Sequence, residues 1–272
     1  MLGTNLKTSN RNELLSRFAS AAVLIPFALF VVIKGGWVLA IACAAFAAIM
    51  AYEWVRMSAS PLLVQIVCLA MIPSLLAPVL PIGQTFGLLL ICCCVAGAIH
   101  PVSGQRLTSA YGCLYVSVQP LAMYWLREGN WDGEVLALLI LGLVWASDAT
   151  AFFVGRCVGG ALLTKESPSK TWSGALGAVF VSALFGMLAG HLISQNIFIW
   201  LIIGALVSVV AQFGDLVESI IKRRHGVKNA SSLVPGHGGV MDRVDGLGMV
   251  SVVVLAGLLF LQVVSAYLGL EF

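Results

Sequence analysis

The feature that most constrains this chain is a succession of apolar runs at about 18–33, 37–52, 62–80, 86–99, 111–126, 135–155, 174–194, 197–221 and 247–270, each bounded by glycine, proline or charge. A helix crossing the hydrocarbon core needs about 20 apolar residues, and it satisfies its own backbone polar groups where no water can. The runs therefore predict an all-α fold, a polytopic integral membrane bundle of about nine transmembrane helices. With 60% hydrophobic and only 10% charged residues, and a mean hydropathy of +1.00, the chain has nothing left over for a separate soluble domain. The runs at 18–33, 37–52, 86–99 and 111–126 are short for a bilayer, so one or two of them suit interfacial or re-entrant segments. The first has the look of a signal-peptide core behind Arg11 and Arg17, but it opens a series of spans and is read as a retained helix.

Charge orients the bundle. With the N-terminus in the cytoplasm, all of the fifteen Lys and Arg except Lys34 and Arg127 fall inside, as the positive-inside rule expects. The expected organisation is a cytoplasmic tail over 1–17, an N-terminal transmembrane region of about five spans over 18–134, and a C-terminal transmembrane catalytic region over 135–272. The two longest cytoplasmic connections are 156–173 and 222–246. The outer connection REGNWDGE reads as a solvated link, and the Asn229-Ala230-Ser231 sequon lies inside, where glycosylation does not occur. No repeat of 20 to 50 residues is visible, and the Gly186 to Gly190 spacing fits a helix-packing face. The seven cysteines contain no CxxC and read as small buried apolar residues. A net charge of +3 is too small to imply nucleic acid.

Ionisable residues inside a span are costly and are functional candidates by default. Asp148 lies in WASDATAFFVGR among small residues able to line a wet cavity, with an interhelical hydrogen bond as the plainer alternative. Asp215 and Glu218 lie near the inner end of the eighth run, in GDLVESIIKRRHG. Asp215, Glu218 and Lys222 share one helical face, with Ser219 beside Asp215. Glu218 is equally well explained as an i,i+4 partner of Lys222, whereas Asp215 has no such cation on its membrane side.

The stretch LVPGHGGVMDRVDG at 233–246 concentrates what the rest of the chain lacks. Asp242 and Asp245 bring two carboxylates, with Arg243 between them, to the start of the ninth run. Such an oxygen pair suits Mg²⁺, which takes its remaining ligands from phosphate and water. Gly236, Gly238 and Gly239 allow backbone N–H groups to approach an anion. A turn plus helix cap accounts for the glycines and one Asp, but not for His237, Arg243 and the second Asp together. The other inner connection offers Lys165, Ser167, Ser169, Lys170, Thr171 and Ser173, charge and hydroxyl donors suited to phosphate.

Together these residues resemble the phosphatidate cytidylyltransferase (CDP-diacylglycerol synthase) family. Its signature is matched at Ser219, Lys222, Arg223, Lys228, Pro235, Gly236, His237, Gly238, Gly239, Asp242, Arg243 and Asp245. GDLVES at 214–219, WASDATAFFVGR at 145–156 and SPSKTWSG at 167–174 are similar to further blocks of the family, so the likeness is close in the C-terminal half and generic before it. Three positions depart: Asn229 stands where the family has Asp, Ser169 where it has Lys, and Ser173 where it has Glu.

The resemblance implies transfer of CMP from CTP to phosphatidic acid, giving CDP-diacylglycerol and pyrophosphate for phospholipid synthesis. It implies Mg²⁺ as one or two cations, held by Asp215 and Asp242, with Asp245 and Asp148 as further candidates. Asp215, Asp242, Asp245, Lys222 and Arg243 would be catalytic. Lys170, Ser167, Ser219, Arg223, Lys228, Gly236, His237, Gly238 and Gly239 would bind CTP and phosphate. It also implies a bacterial inner membrane, a site facing the cytoplasm and a homodimer. The alternatives are a cation-coupled transporter using Asp148, Asp215 and Glu218, against which stand the missing repeat and the charge gathered in loops, and a nucleotidyltransferase acting on another lipid phosphate.

Overall fold

The computed structural model describes residues 22–129, 131–164, 167, 170–231 and 239–268. Among them are nine α-helices: α1 (Ala22–Lys34), α2 (Gly36–Ser58), α3 (Leu63–Leu76), α4 (Ile82–Ala98), α5 (Arg106–Glu128), α6 (Gly133–Val158), α7 (Trp172–Leu192), α8 (Ile197–Arg224) and α9 (Met241–Leu268). The described residues form no sheet; one antiparallel bridge, Leu162 to Thr171, closes the α6–α7 connection.

Helices α2, α6, α7, α8 and α9 are long and apolar enough to cross a membrane, while α1, α3 and α4 are shorter apolar helices. Helix α5 has 23 residues but carries Arg106, Ser109, Ser117 and Gln119 and is not among those five. Its neighbours explain this. It packs against α2, α3, α4, α6 and α9 and so faces protein on most sides, where a serine or glutamine is tolerated better than against lipid.

Several helices begin or end away from the apolar runs. Helix α9 starts at Met241 rather than near 247, α8 continues to Arg224, and α5 starts at Arg106. Hydropathy marks where lipid contact is possible, whereas the i to i−4 hydrogen-bond ladder runs on through polar residues. The inner connection read as 222–246 is thus helical at both ends, and Asp242 and Asp245 lie in the first two turns of α9.

Lipid gives no hydrophobic drive for one helix to join another, so close backbone approach and polar interlocks must do it. The α7–α8 pair shows both. Gly186 and Gly190 face Trp200, with Gly204 also against Gly186, as the spacing predicted. Gln212 Nε2 of α8 donates to Ala175 O of α7 at 3.3 Å and to Ser208 Oγ of its own helix at 3.1 Å, and the Ser208 hydroxyl in turn lies 2.7 Å from that of Ser147 on α6. Local caps set two helix starts: Thr171 Oγ1 accepts from Gly174 N, and Asn196 Oδ1 from Phe198 N and Ile199 N.

The outer connection is more than a solvated link. Arg127 Nε donates to Val32 O at 2.9 Å and its Nη2 to Ile33 O at 3.2 Å, while Glu128 Oε1 accepts from Gly36 N at 2.8 Å. These contacts bind the end of α5 to the α1–α2 turn, beside Lys34, so Lys34 and Arg127 do lie at one end of the bundle. All seven cysteines are free; Cys43, Cys92, Cys93 and Cys113 are buried, and Cys68, Cys94 and Cys157 are exposed.

Candidate active site

The site is assembled where α8 and α9 cross beside the start of α7. A Cβ at Gly214 would lie 2.7 Å from both Asp245 O and Met249 Cβ, so only a glycine lets α9 approach this closely. The approach sets Asp215 and Glu218 of α8 against Asp245 of α9: one ligand oxygen from each lies within 4.8 Å of the others. The bond from Gln212 to Ala175 O holds α8 level with the first turn of α7. Asp215, one turn nearer the C-terminal end of α8, therefore meets the residues just before α7, and Lys170 Nζ forms an ion pair with Asp215 Oδ2.

Lys222 occupies the other side. Its Nζ donates to Glu218 Oε2 at 2.8 Å and to Asp242 Oδ1 at 2.6 Å. The ambiguity over Glu218 resolves into both readings at once, since it pairs with Lys222 through Oε2 and also belongs to the three-carboxylate group. Its Oε1 is buried without a hydrogen-bond partner among the described residues. Asp242 Oδ2 accepts from Gly239 N at 2.9 Å, which ties the glycine-rich segment to the first turn of α9.

Asp148 is exposed on α6, ten residues before that helix ends at Val158, or about 15 Å along the axis at about 1.5 Å per residue. Asp148 lies within electrostatic reach of Asp215, Lys170 and Arg243.

The structure thus gathers Lys170, Asp215, Lys222, Gly239, Asp242 and Asp245, with Asp148 and Arg243 at the edge. Ser167 and Lys228 make no hydrogen bond or ion pair with these carboxylates among the described residues. Arg223 is exposed and donates to Val227 O at 3.4 Å, and Ser219 is half-buried on α8. Gly236, His237 and Gly238 lie outside the described residues. Of the three departures, Ser173 donates to Gly159 O and so helps to close the α6–α7 connection, Asn229 is exposed, and Ser169 lies outside the described residues.

Glu53 was not foreseen. It is fully buried near the inner end of α2 and accepts hydrogen bonds from Val240 N, Met241 N and Ser231 Oγ. The rule that singled out Asp148 would have found it, had the second apolar run not been ended at residue 52.

A divalent cation fits this donor set. Asp215 pairs with Lys170, Glu218 and Asp242 share Lys222, and Asp215, Glu218 and Asp245 converge beside the unpartnered Glu218 oxygen. Like charges held this close need a cation or a proton among them.

Comparison with known proteins decides the family. The Cytidylyltransferase family profile matches residues 15–261. The chain belongs to the cytidylyltransferase family. A phosphatidate cytidylyltransferase of Brucella abortus biovar 1 (strain 9-941) is 37% identical over 179 residues, 65% of this chain and 64% of that protein. The enzyme of the same name from Helicobacter pylori (strain ATCC 700392 / 26695) is 39% identical over 132 residues, 48% of this chain and 50% of that protein. That of Haemophilus influenzae (strain ATCC 51907 / DSM 11121 / KW20 / Rd) is 38% identical over 124 residues, 43% of each chain. The matched regions span less than two thirds of these relatives' own length.

Proposed function

We propose that this chain transfers CMP from CTP to phosphatidate, giving CDP-diacylglycerol and pyrophosphate. The lipid phosphate oxygen forms a bond to the α-phosphorus of CTP, the bond from that phosphorus to the bridging oxygen of the β-phosphate breaks, and pyrophosphate leaves. One observation carries the reading: Asp215, Glu218 and Asp245 converge within 4.8 Å, flanked by Lys170 and Lys222, on helices that also cross lipid. Family membership and relatives of that printed name agree with it.

The reaction asks for little covalent work from a protein. It asks for in-line placement of two anionic phosphates and neutralisation of their charge. Asp215, Glu218 and Asp245 would hold Mg²⁺, with Asp242 completing or orienting the set through Lys222. When bound, the ion would neutralise phosphate charge and orient the α-phosphate. Lys170 and Lys222 would turn from carboxylates to phosphates when substrate arrives, and Arg243, exposed on the first turn of α9, would join them. The exposed Asp148 would lie on the watered side of the group while the acyl chains stay in the bilayer. By the distribution of Lys and Arg, the group faces the cytoplasm of a bacterial inner membrane, where CTP is found.

The direct experiment incubates purified protein with radiolabelled CTP, phosphatidate and Mg²⁺, and measures label in the lipid phase. Lipid-phase label that depends on phosphatidate supports the reading. Its absence overturns it, whereas full turnover by Asp242→Asn would overturn only the assignment of Asp242 to the site.

A further inference from the structure

The first turn of α9 carries Asp242 and Asp245, and among the described residues the free N–H groups that every helix start presents find no side-chain acceptor in the residue before it, Val240. The acceptor comes instead from α2. Glu53 Oε1 accepts from Val240 N at 2.8 Å, and Oε2 from Met241 N at 2.7 Å. Oε1 also accepts from the Ser231 hydroxyl, on the segment that follows α8. Nothing local supplies this contact, for Glu53 and Met241 are 188 residues apart in the chain.

Three further observations agree. Glu53 is 0% exposed, so its carboxyl group is committed to these partners rather than to water. A Cβ on Gly239 would come within 2.7 Å of Glu53 Oε1. The second glycine of the GG pair in the loop motif is thus required by this carboxylate, whatever its use toward phosphate. Around the contact, Trp54, Met50, Ala47 and Met241 form one buried cluster, so α2 and the start of α9 are packed as a unit. A carboxylate at a helix N-terminus also gains from the helix dipole.

We propose that Glu53 is a positioning residue: it caps and fixes the first turn of α9 from α2, and so sets where Asp242 and Asp245 stand relative to Asp215. The proposal rests on the reading of those aspartates as the metal and phosphate site. A displacement of about 1 Å at such a site costs on the order of a hundredfold in turnover. Glu53→Gln keeps the size but turns one acceptor into an NH₂ group facing a backbone donor. Glu53→Asp keeps both acceptors on a shorter arm.

The test uses the full-length protein in detergent. In Glu53→Gln, kcat is expected to fall at least tenfold and the Mg²⁺ concentration giving half activity to rise several-fold, with Glu53→Asp recovering part of each. Hydrogen exchange at the backbone amides of 239–246 is expected to speed up by at least tenfold, with no change over the first half of α8. Trp54→Phe, a packing change in the same cluster, is expected to lower the melting temperature without moving the Mg²⁺ dependence. Wild-type exchange at 239–246 in Glu53→Gln, or an unchanged Mg²⁺ dependence, overturns the proposal. Asp242→Asn run in parallel separates the two ideas: full turnover there overturns the site reading, whereas exchange in Glu53→Gln decides the anchoring without any turnover.

Discussion

Removing the Lys222 ammonium tests whether the carboxylates around it are held together at a cost that this one group offsets. Its Nζ lies 2.8 Å from Glu218 and 2.6 Å from Asp242, and the three side chains are 12%, 0% and 11% exposed. Lys222→Met keeps the length and apolar stem but leaves two carboxylates facing each other with little water between. Two such charges about 5 Å apart repel by roughly 3 kcal/mol at an effective dielectric near 20. Breaking a buried pair by deleting one partner costs about 3–5 kcal/mol, so the two routes agree. Lys222→Met should therefore unfold at clearly lower denaturant in detergent without added metal, followed through tryptophan fluorescence. The double variant Lys222→Met with Glu218→Gln removes one of the stranded charges and should recover most of the loss, giving a coupling energy of at least about 1 kcal/mol in the double-mutant cycle. If Lys222→Met loses less than about 1 kcal/mol, or Glu218→Gln fails to rescue it, the electrostatic account of this site is wrong.

Three other perturbations probe separate parts of the structure. Gly214→Val places a side chain 2.7 Å from Asp245 O and Met249 Cβ, so α9 must move and CTP-dependent labelling of lipid should drop at least about tenfold, with the protein still in the membrane. Chelation by EDTA should abolish labelling and excess Mg²⁺ restore it; persistence of turnover in EDTA would remove the cation from the site. Arg127→Ala strips the donors from Val32 O and Ile33 O and should cost on the order of 1–3 kcal/mol in denaturant unfolding while the folded fraction keeps its turnover.

The helical class was legible because lipid imposes one rule on every crossing segment, and composition reports it directly, whereas five of the described helices, not the expected nine, are long and apolar enough to cross. Helix ends were less so. The residues MDRVDG read as loop because they are polar, yet they begin α9, since a helix whose first turn is capped by Glu53 and meets the charged residues of α8 has no need of apolar side chains there. Helix α5 inverted the same rule: its serines and Gln119 sit inside the bundle, on a helix that protein rather than lipid surrounds. Within the site, Asp215 stood out because charge is rare inside an apolar run, Lys222 because it shares that helical face, and Asp242 and Asp245 because they pair two carboxylates in the glycine-rich stretch. Glu218 did not, because an i,i+4 partner gave it a sufficient local explanation, and the second role depends on how α8 meets α9. Glu53 depends wholly on tertiary structure, as no spacing in sequence links α2 to a helix that begins 188 residues later.

The arrangement also explains why the carboxylates sit where small residues bring helices together. Three acidic side chains within 4.8 Å repel one another, and in lipid no hydrophobic force would press their helices into contact. Here the contact is enforced from outside the charged group: by Gly214 against the backbone of Asp245, by Gln212 against Ala175, and by the hydrogen bonds from the start of α9 to Glu53. Lys170 and Lys222 then offset part of the repulsion without filling the space between the carboxylates. A site built this way holds its acidic oxygens in place before any cation arrives, so binding need not reorganise them. It follows that loosening the packing at Gly214 or the cap at Glu53 should weaken cation binding as well as turnover, although neither residue belongs to the carboxylate group.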